Sequence, residues 1–179
     1  MNHPDAILVA AARAGDIESF RELYERYYLL AVGIARSQIF DQHLAEDAAQ
    51  EAFVEVCRDF GKLRDVNRFP EWLGTICRRT AIRIARLKTN AVPISTVAIS
   101  TVPVAPDQTA DDSSTQVETA MEQLSVGARE VVQMHYFSGL SYDEIGRALG
   151  ITPEAVHGRL QRARRVLSDL LSRPGEEDN

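Results

Sequence analysis

The segment AVHGRLQRARRVL, residues 155–167, combines four arginines, a glutamine and a histidine with no acidic residue. Projected at 100° per residue, it predicts a helix with an apolar stripe on one side and a polar, basic face on the other. Arginine can form paired hydrogen bonds with a guanine edge, glutamine can bond an adenine edge, and flanking arginines can neutralise phosphates. The candidate DNA-contacting residues are His157, Gly158, Arg159, Gln161, Arg162, Arg164 and Arg165. The alternative interpretation is a solvated arginine face on an ordinary helical hairpin.

Residues 78–88 form a second basic run, with five basic side chains and no acid. They fall in a predicted helix over 70–88, on or beside the face opposite Trp72. Aromatic side chains beside a basic face suit single-stranded nucleic acid, because bases stack on the rings while arginines hold the backbone. The preceding polar loop, residues 62–68, offers a position for an unstacked base. The alternative is that Trp72 and Phe69 belong to the core.

An acidic face is predicted on the helix that contains AEDAAQEAF, residues 45–53. Asp47, Gln50 and Glu51 share its exposed side, away from Phe53. No histidine or further carboxylate stands at ligand spacing, so metal binding and acid–base catalysis are not expected. Two interpretations remain open, which are a solvated face and a face that meets a basic protein partner.

Helical periodicity predicts the elements that hold these residues. The predicted helices of the N-terminal part cover residues 5–37 with a break at Gly15, residues 44–60 and residues 70–88. Apolar residues recur at steps of three and four, from Ile17 in the first helix to Leu87 in the last. Asp16, Gly61 and Pro70 supply start and stop signals.

Residues 89–117 differ in composition, with three prolines and no aromatic residue, lysine or arginine. A structureless loop of this length is unusual inside a compact domain, so the segment is predicted to be a flexible interdomain linker. Within it, ISTVAISTVPV is rich in β-branched residues and could lie extended against a partner. The predicted domains are therefore 1–88 and 118–173, followed by an acidic tail at 174–179.

Residues 118–173 predict further helices, of which the last two form a helix-turn-helix. Ser141 caps the first of this pair, with Glu144 at the capping-box position, and Gly150 ends it. Thr152 caps the second, and a proline follows at its first position. The predicted fold is all-α, with two small helical domains joined by a flexible linker, the C-terminal one a helix-turn-helix.

Composition narrows the class of protein. The 179-residue chain has net charge −6, is 45% apolar and 26% charged, and has no run of 18 apolar residues, so neither disorder nor a membrane span is expected. The N-terminus lacks the basic-then-apolar order of a secretory signal, so a cytoplasmic protein is expected. Cys57 and Cys77 are interpreted as buried, reduced side chains, the alternative being a redox switch or half of a zinc site. No enzymatic constellation is recognised, and no cofactor, metal or small-molecule substrate is expected.

Two long stretches resemble the two-domain bacterial sigma factors of the extracytoplasmic-function class. LAEDAAQEAFVEVCRDFGKLRDVNRFPEWLGTICRRTAIRIARLK resembles their first domain, and LSVGAREVVQMHYFSGLSYDEIGRALGITPEAVHGRLQRARRVL resembles their second. The resemblance covers roughly residues 5–88 and 118–172 and lacks the additional domains of larger sigma factors. It implies a non-enzymatic factor that binds core RNA polymerase and recognises the −10 and −35 promoter elements.

The resemblance also implies a role for each candidate residue. The acidic helix would dock on the clamp helices of the polymerase β′ subunit, and the last helix would contact the −35 element through the seven residues named above. The implied polymerase-binding residues are Asp47, Gln50, Glu51 and Phe53. The implied −10 contacts, including a loop that holds a flipped base, are Lys62, Arg64, Asn67, Arg68, Trp72, Arg78, Arg79, Arg83 and Arg86. The implied partners are the β′ and β subunits of polymerase, promoter DNA and an anti-sigma factor.

Two functions fit these patterns. One is a promoter-specificity subunit of polymerase, and the other is a helix-turn-helix regulator whose N-terminal helices dimerise or sense a signal. The acidic helix at 45–53 and the basic helix at 70–88 favour the first, because a plain regulator needs neither. A net acidic chain is expected to bind DNA poorly alone, since nonspecific affinity follows the number of phosphates neutralised. Polymerase would then hold both domains on one promoter and make the second contact effectively intramolecular.

Overall fold

The computed structural model describes residues 3–91 and 112–172, and within these ranges it contains eight α-helices and no strand. This result confirms the predicted all-α fold. The first four helices are α1 (Asp5–Arg13), α2 (Ile17–Arg36), α3 (Gln42–Asp59) and α4 (Phe69–Ala91). The other four are α5 (Asp112–Glu122), α6 (Val126–Val132), α7 (Tyr142–Leu149) and α8 (Pro153–Leu171), with a π-helical turn, Gln133–Phe137, after α6.

Side-chain caps start the N-terminal helices close to the predicted positions. Asp16 accepts a hydrogen bond from the backbone N–H of Ser19, at 3.1 Å, and thereby caps α2. Asp41 caps α3 in the same way by accepting from the N–H of Leu44, at 3.0 Å, so this helix begins at Gln42 rather than at residue 44. Each cap satisfies a backbone donor that the helix itself leaves unpaired.

Two residues of the apolar stripes predicted for the N-terminal helices are exposed. Ile17 is 81% exposed, because it is the first residue of α2, one turn before Phe20 packs edge-on against Phe53. Leu87 is 60% exposed, because α4 continues past Ile84, which packs against the small cluster formed with α3. Helical periodicity identifies which face of a helix is buried. The length of the neighbouring helix determines how far along that face the side chains are covered.

The two cysteines differ in environment. Cys77 is buried, as predicted, but Cys57 is exposed, so that part of the prediction is wrong. Cys57 follows the buried Val56 on α3 and faces away from the neighbouring helices. Both thiols are free.

The C-terminal unit contains the predicted helix-turn-helix. Ser141 and Glu144 form a reciprocal capping box at the start of α7, and Gly150 ends this helix with a positive φ of 66°. Thr152 then caps α8 by accepting from the N–H of Ala155, at 3.3 Å. The apolar stripe of α8, which includes Leu160, is buried against the preceding helices.

The two helical units pack against each other. One buried cluster includes Leu30 and Leu73 from the N-terminal unit together with Met134 and Ile145 from the C-terminal unit. Helix α4 lies against α7, and α2 lies against the π-helical turn. No sequence pattern predicted this packing, because an apolar stripe does not identify the surface that will cover it.

The predicted linker, 89–117, is helical at both described ends. Helix α4 runs to Ala91 and α5 begins at Asp112. Residues 92–111, which contain ISTVAISTVPV, and the acidic tail 174–179 lie outside the described residues. None of the described helices is long and apolar enough to cross a membrane. Within the same ranges, no group of three or more His, Cys, Asp or Glu residues is arranged to hold a metal ion.

Candidate nucleic-acid interface

A cleft of about 300 Å³ lies between the α3–α4 loop and the first turns of α4. The residues that line it are Lys62, Leu63, Arg64, Asp65, Arg68, Glu71, Trp72 and Thr75. Two short 3₁₀ turns, Phe60–Lys62 and Val66–Arg68, shape the loop, and the buried Leu63 anchors it. The structure therefore brings together four of the residues predicted for the −10 strand.

Trp72 and Phe69 have different roles in this cleft. Phe69 is fully buried, which supports the alternative interpretation that it belongs to the core. Trp72 is half-buried, with its ring centroid 6.2 Å from that of Phe60 and 6.3 Å from that of Phe69. Its ring thus packs on the core and also forms part of the cleft wall.

Asn67 and Arg68 are held by the loop itself. The side chain of Asp65 accepts a hydrogen bond from the backbone N–H of Asn67, at 3.0 Å, and starts the second 3₁₀ turn. Arg68 pairs with Glu71 at 2.6 Å, and the hydrogen bond to this carboxylate raises the pKa of the guanidinium. Asn67 is exposed and is not among the residues that line the cleft.

The basic face of α4 is ion-paired with the acidic face of α3. Arg79 lies 2.6 Å from Glu55, and Arg83 lies 2.8 Å from Glu51 and 3.2 Å from Glu55. Burial favours a raised pKa for Glu55, but hydrogen bonds from Arg79 and Thr80 outweigh it and lower the pKa. The sequence predicted the basic face of α4 and the acidic face of α3 as two separate surfaces. In the structure they lie side by side.

Arg78 faces the C-terminal unit rather than open solvent. Its Nε lies 2.7 Å from Oε1 of Glu130 on α6, a residue that is only 5% exposed. Burial raises the pKa of the Glu130 carboxyl, and the charge of Arg78 opposes that shift. Sequence reasoning did not identify Glu130, since a single glutamate in a short helix carries no signal of burial. Arg86, in contrast, is exposed.

The outer face of α8 carries the residues predicted for the −35 element. Gln161, Arg162 and Arg165 are exposed, and the side chain of Gln161 bonds the ring of the exposed His157 at 2.9 Å. A Cβ atom at Gly158 would meet only the end of the Arg162 side chain, at 3.7 Å, so this part of the face is open.

The two arginines predicted to flank this face are more constrained. Arg159 is half-buried and lies beside Gly127 of α6. The Nε of Arg164 donates to the hydroxyl of Tyr136, and its guanidinium lies over the same ring. These contacts set both side chains at the edge of the face.

The acidic face of α3 exposes Asp47 and Gln50, together with Glu51. Phe53 is 3% exposed and packs against Tyr24 with ring centroids 4.7 Å apart. A buried ring cannot touch a partner, so the prediction of Phe53 as a polymerase contact is corrected. This residue positions α3 instead.

Comparisons with known proteins match both helical units. Residues 23–90 match the Sigma-70 region 2 family, and residues 114–167 match the Sigma-70, region 4 family. The ECF RNA polymerase sigma factor SigM of Mycobacterium tuberculosis is 32% identical over 170 residues, which cover 93% of this chain and 84% of SigM. The chain belongs to the ECF RNA polymerase sigma factors.

Other relatives of this sigma factor align over similar lengths. The RNA polymerase sigma factor CarQ of Myxococcus xanthus is 29% identical over 161 residues, covering 89% of this chain and 92% of CarQ. The structure of CnrH in complex with the cytosolic domain of CnrY superposes with a TM-score of 0.65, at 26% identity, over 96% of this chain and 99% of CnrH. The sigma factor is thus a DNA-binding initiation factor that directs promoter-specific transcription.

Region 2 of the sigma factor spans most of α2 and all of α3, together with α4 to residue 90, and region 4 begins in α5 and ends in α8. The cleft and the ion-paired faces therefore belong to region 2. The outer face of α8 belongs to region 4. Glu130, which bonds Arg78, joins the two regions.

Proposed function

We propose that this sigma factor uses one surface for polymerase and two for promoter DNA. The exposed face of α3 binds the clamp helices of the β′ subunit through Asp47, Gln50 and Glu51. The cleft beside Trp72 receives a flipped base of the −10 non-template strand. The outer face of α8 contacts the −35 element, and RNA synthesis itself is left to the polymerase.

The observation that carries the −10 assignment is the position of Trp72. Its half-buried ring forms a wall of an open cleft, and Lys62, Arg64 and Arg68 line the same cleft. A ring supported by the core gives a base a rigid stacking surface, while cations beside it hold the backbone. A volume of about 300 Å³ falls at the lower end of the range for small-ligand sites and suits a single base.

The −35 assignment is supported by the geometry of α8. Gln161 and Arg162 project from the exposed face and have the side chains that bond adenine and guanine edges in the major groove. Arg159 and Arg164, held at the edge of this face, suit phosphate contacts that fix register without reading sequence.

Two features favour dependence on polymerase. The chain has net charge −6, and Arg79 and Arg83 are already paired with carboxylates, so the basic face of α4 offers the −10 strand fewer unpaired cations than its sequence suggests. Polymerase binding at α3 would engage Glu51 and leave Arg83 paired with Glu55 alone, which weakens the hold of α3 on this guanidinium. By analogy with CnrH and its complex with CnrY, we also propose an anti-sigma factor as a partner, in the cytoplasm.

The test is transcription in vitro with purified core polymerase, no other initiation factor and a pool of random promoter fragments, with sequencing of transcript 5′ ends. Defined start sites are expected only when the protein is added. Trp72→Ala is expected to reduce strand opening, and the matched variant Trp72→Phe, which keeps a ring, to retain most of it. Failure of the protein to bind core polymerase would contradict the sigma assignment and favour a plain helix-turn-helix regulator. Equal activity of Trp72→Ala and the unchanged protein would exclude the cleft as the base site.

A further inference from the structure

His157 and Gln161 form a hydrogen-bonded pair on the outer face of α8. They stand four residues apart, so the geometry of the helix brings their side chains together. The Nε2 of Gln161 lies 2.9 Å from the Nε2 of His157. An amide nitrogen can donate a hydrogen bond but cannot accept one, so this contact requires a His157 ring whose Nε2 carries no proton. The ring is therefore neutral in this arrangement, with its proton on Nδ1.

A row of rings fixes the position of the His157 side chain, although the residue is exposed. Tyr142 of α7 packs against it with ring centroids 5.7 Å apart. His135 of the π-helical turn lies behind Tyr142, at 5.0 Å, and its Nδ1 is 2.9 Å from the carbonyl oxygen of Leu140. The neighbouring elements thus support the ring of His157, and the ring in turn supports the amide of Gln161.

The hydrogen bond to His157 determines what Gln161 presents to DNA. One N–H of the amide points at the ring, which leaves the second N–H and the oxygen side by side. An adenine edge in the major groove offers an acceptor, N7, beside a donor, the N6 amino group, and this pair matches the amide. A guanine edge offers two acceptors, N7 and O6, and the amide oxygen would face one of them. With a neutral ring, Gln161 therefore favours adenine.

A protonated ring reverses the amide. Nε2 then carries a hydrogen, so two donors would face each other at 2.9 Å, and the amide must turn its oxygen toward the ring instead. Both N–H groups then point outward and suit the two acceptors of guanine. Imidazole is the side chain whose charge ordinarily changes between about pH 5 and 8, so both states are accessible.

The ionisable groups nearest to His157 lie on α7 and on α8 itself. Tyr142 is the group that α7 contributes. Glu154, three residues before His157, favours the protonated ring, whereas Arg164, seven residues after it and beside Tyr142, disfavours it. Because these two charges oppose each other, the surroundings do not hold the ring permanently in one state.

We propose that His157 is a positioning residue that sets which base Gln161 selects: a neutral ring orients the amide for adenine, and a protonated ring orients it for guanine. This inference rests on the proposed function, because it concerns the −35 face of α8. It gives the two residues different tasks, since Gln161 contacts the base and His157 acts through it. A fall in pH then shifts promoter preference at one position of the −35 element.

Substitutions of His157 can fix either state. His157→Glu leaves a carboxylate, which only accepts hydrogen bonds and so holds the amide in the adenine orientation. His157→Lys leaves an ammonium group, which only donates and so holds the amide in the guanine orientation. Both changes alter the charge near phosphates, but phosphate contacts act on all sequences alike, whereas the amide acts at one base pair. His3→Ala removes another exposed histidine, from the N-terminal unit, and is the matched control.

Base preference is measured on the complex with core polymerase. The complex is equilibrated with promoter fragments randomised over the −35 element, at about pH 8 and about pH 6, and the bound fraction is sequenced. The adenine-to-guanine ratio at one position is expected to fall several-fold at the lower pH in the unchanged protein and in His3→Ala. His157→Glu is expected to keep the high ratio at both pH values, and His157→Lys the low ratio. Ratios that stay the same at both pH values and in both His157 variants would overturn the inference.

Nitrogen NMR of the free, full-length chain separates this inference from the proposed function. At about pH 8 the Nε2 of His157 is expected to carry no proton, and the side-chain amide signals of Gln161 are expected to shift as the ring gains one. A proton on Nε2 at the higher pH would contradict the inference even if promoter selection succeeds. If the polymerase complex selects no promoter sequence at all, it is the proposed function that fails, and an unprotonated Nε2 still supports the pairing of His157 with Gln161.

Discussion

The guanidinium of Arg83 lies 2.8 Å from the carboxylate of Glu51, and the side chains are 44% and 47% exposed. In this ion pair, Arg83 is the residue proposed to bind the DNA strand and Glu51 is the residue proposed to bind polymerase. The hydrogen bond to Glu51 raises the pKa of Arg83. A released guanidinium is charged as well, because an arginine side chain is not deprotonated in proteins. If both proposed roles hold, polymerase that engages Glu51 leaves Arg83 paired with Glu55 alone, at 3.2 Å.

A double-mutant cycle tests this coupling. Glu51→Gln and Arg83→Gln, singly and together, are expected to show a coupling energy of about 0.2–1 kcal/mol in urea unfolding, because exposed pairs are screened by water. Glu51→Gln alone is expected to increase affinity for single-stranded DNA, since it leaves Arg83 unpaired by that carboxylate. Strictly additive effects of the two changes would show that the pair is not formed in solution.

Substitutions of Phe53 and Asp47 distinguish a residue that positions α3 from a residue that contacts polymerase. Phe53→Ala is expected to lower the free energy of unfolding by about 3–5 kcal/mol, because it removes a buried ring from the core. Asp47→Ala, on the exposed side of the same helix, is expected to change stability by less than about 0.5 kcal/mol while weakening polymerase binding. Urea denaturation and a pull-down with core polymerase measure the two effects. Unchanged stability of Phe53→Ala would contradict the buried position.

Arg162 is expected to bond one base of the −35 element. Arg162→Ala should cost about 1–3 kcal/mol in promoter binding by the polymerase complex and relax preference at one base pair. Arg21→Ala removes the same charge from α2, where the side chain pairs with Glu18 and Glu25, and serves as the control. Promoter binding is measured against a set of single-base variants. A uniform loss across all of them would instead identify Arg162 as a phosphate contact.

The cysteines are expected to react very differently. Burial raises the pKa of Cys77 to about 12, so almost no thiolate forms there at pH 8, and solvent does not reach the sulfur. Cys57 is exposed, although partial burial also raises the pKa of its thiol. One thiol per folded chain is therefore expected to react with a chromogenic disulfide reagent, and Cys57→Ser should abolish that reaction. Rapid modification of two thiols in the native protein would contradict the packing of α4.

The helix-turn-helix was predictable in detail because its signals are local. The Ser141–Glu144 capping box, Gly150 at the end of α7 and Thr152 at the start of α8 each satisfy backbone groups within a few residues. The outward face of α8 was predictable for the same reason, since helical periodicity alone separates Leu160 from Gln161.

The positions of Glu130 and Phe53 show which features of the structure local sequence signals do not predict. Periodicity placed Phe53 on the buried stripe of α3, where the structure also has it. The polymerase contact was implied only by the family resemblance, and the burial of the ring argues against it. Glu130 stands 52 residues from its partner Arg78, and nothing in the short α6 sequence indicated that a carboxylate would be buried there. Its environment depends on which helix covers α6.

From its sequence alone, this sigma factor's all-α fold, the caps Asp16, Ser141 and Thr152, and the exposed positions of Asp47 and Gln161 could be determined, because each follows from contacts within a few turns of one helix. The tertiary structure decided that the two units share a core, that Arg79 and Arg83 pair with α3, and that Arg78 faces Glu130. Those contacts join residues far apart in the chain, and their geometry depends on the close approach of backbones at Gly33 and Gly74. Such an approach is a property of packed surfaces, and no single helix encodes it.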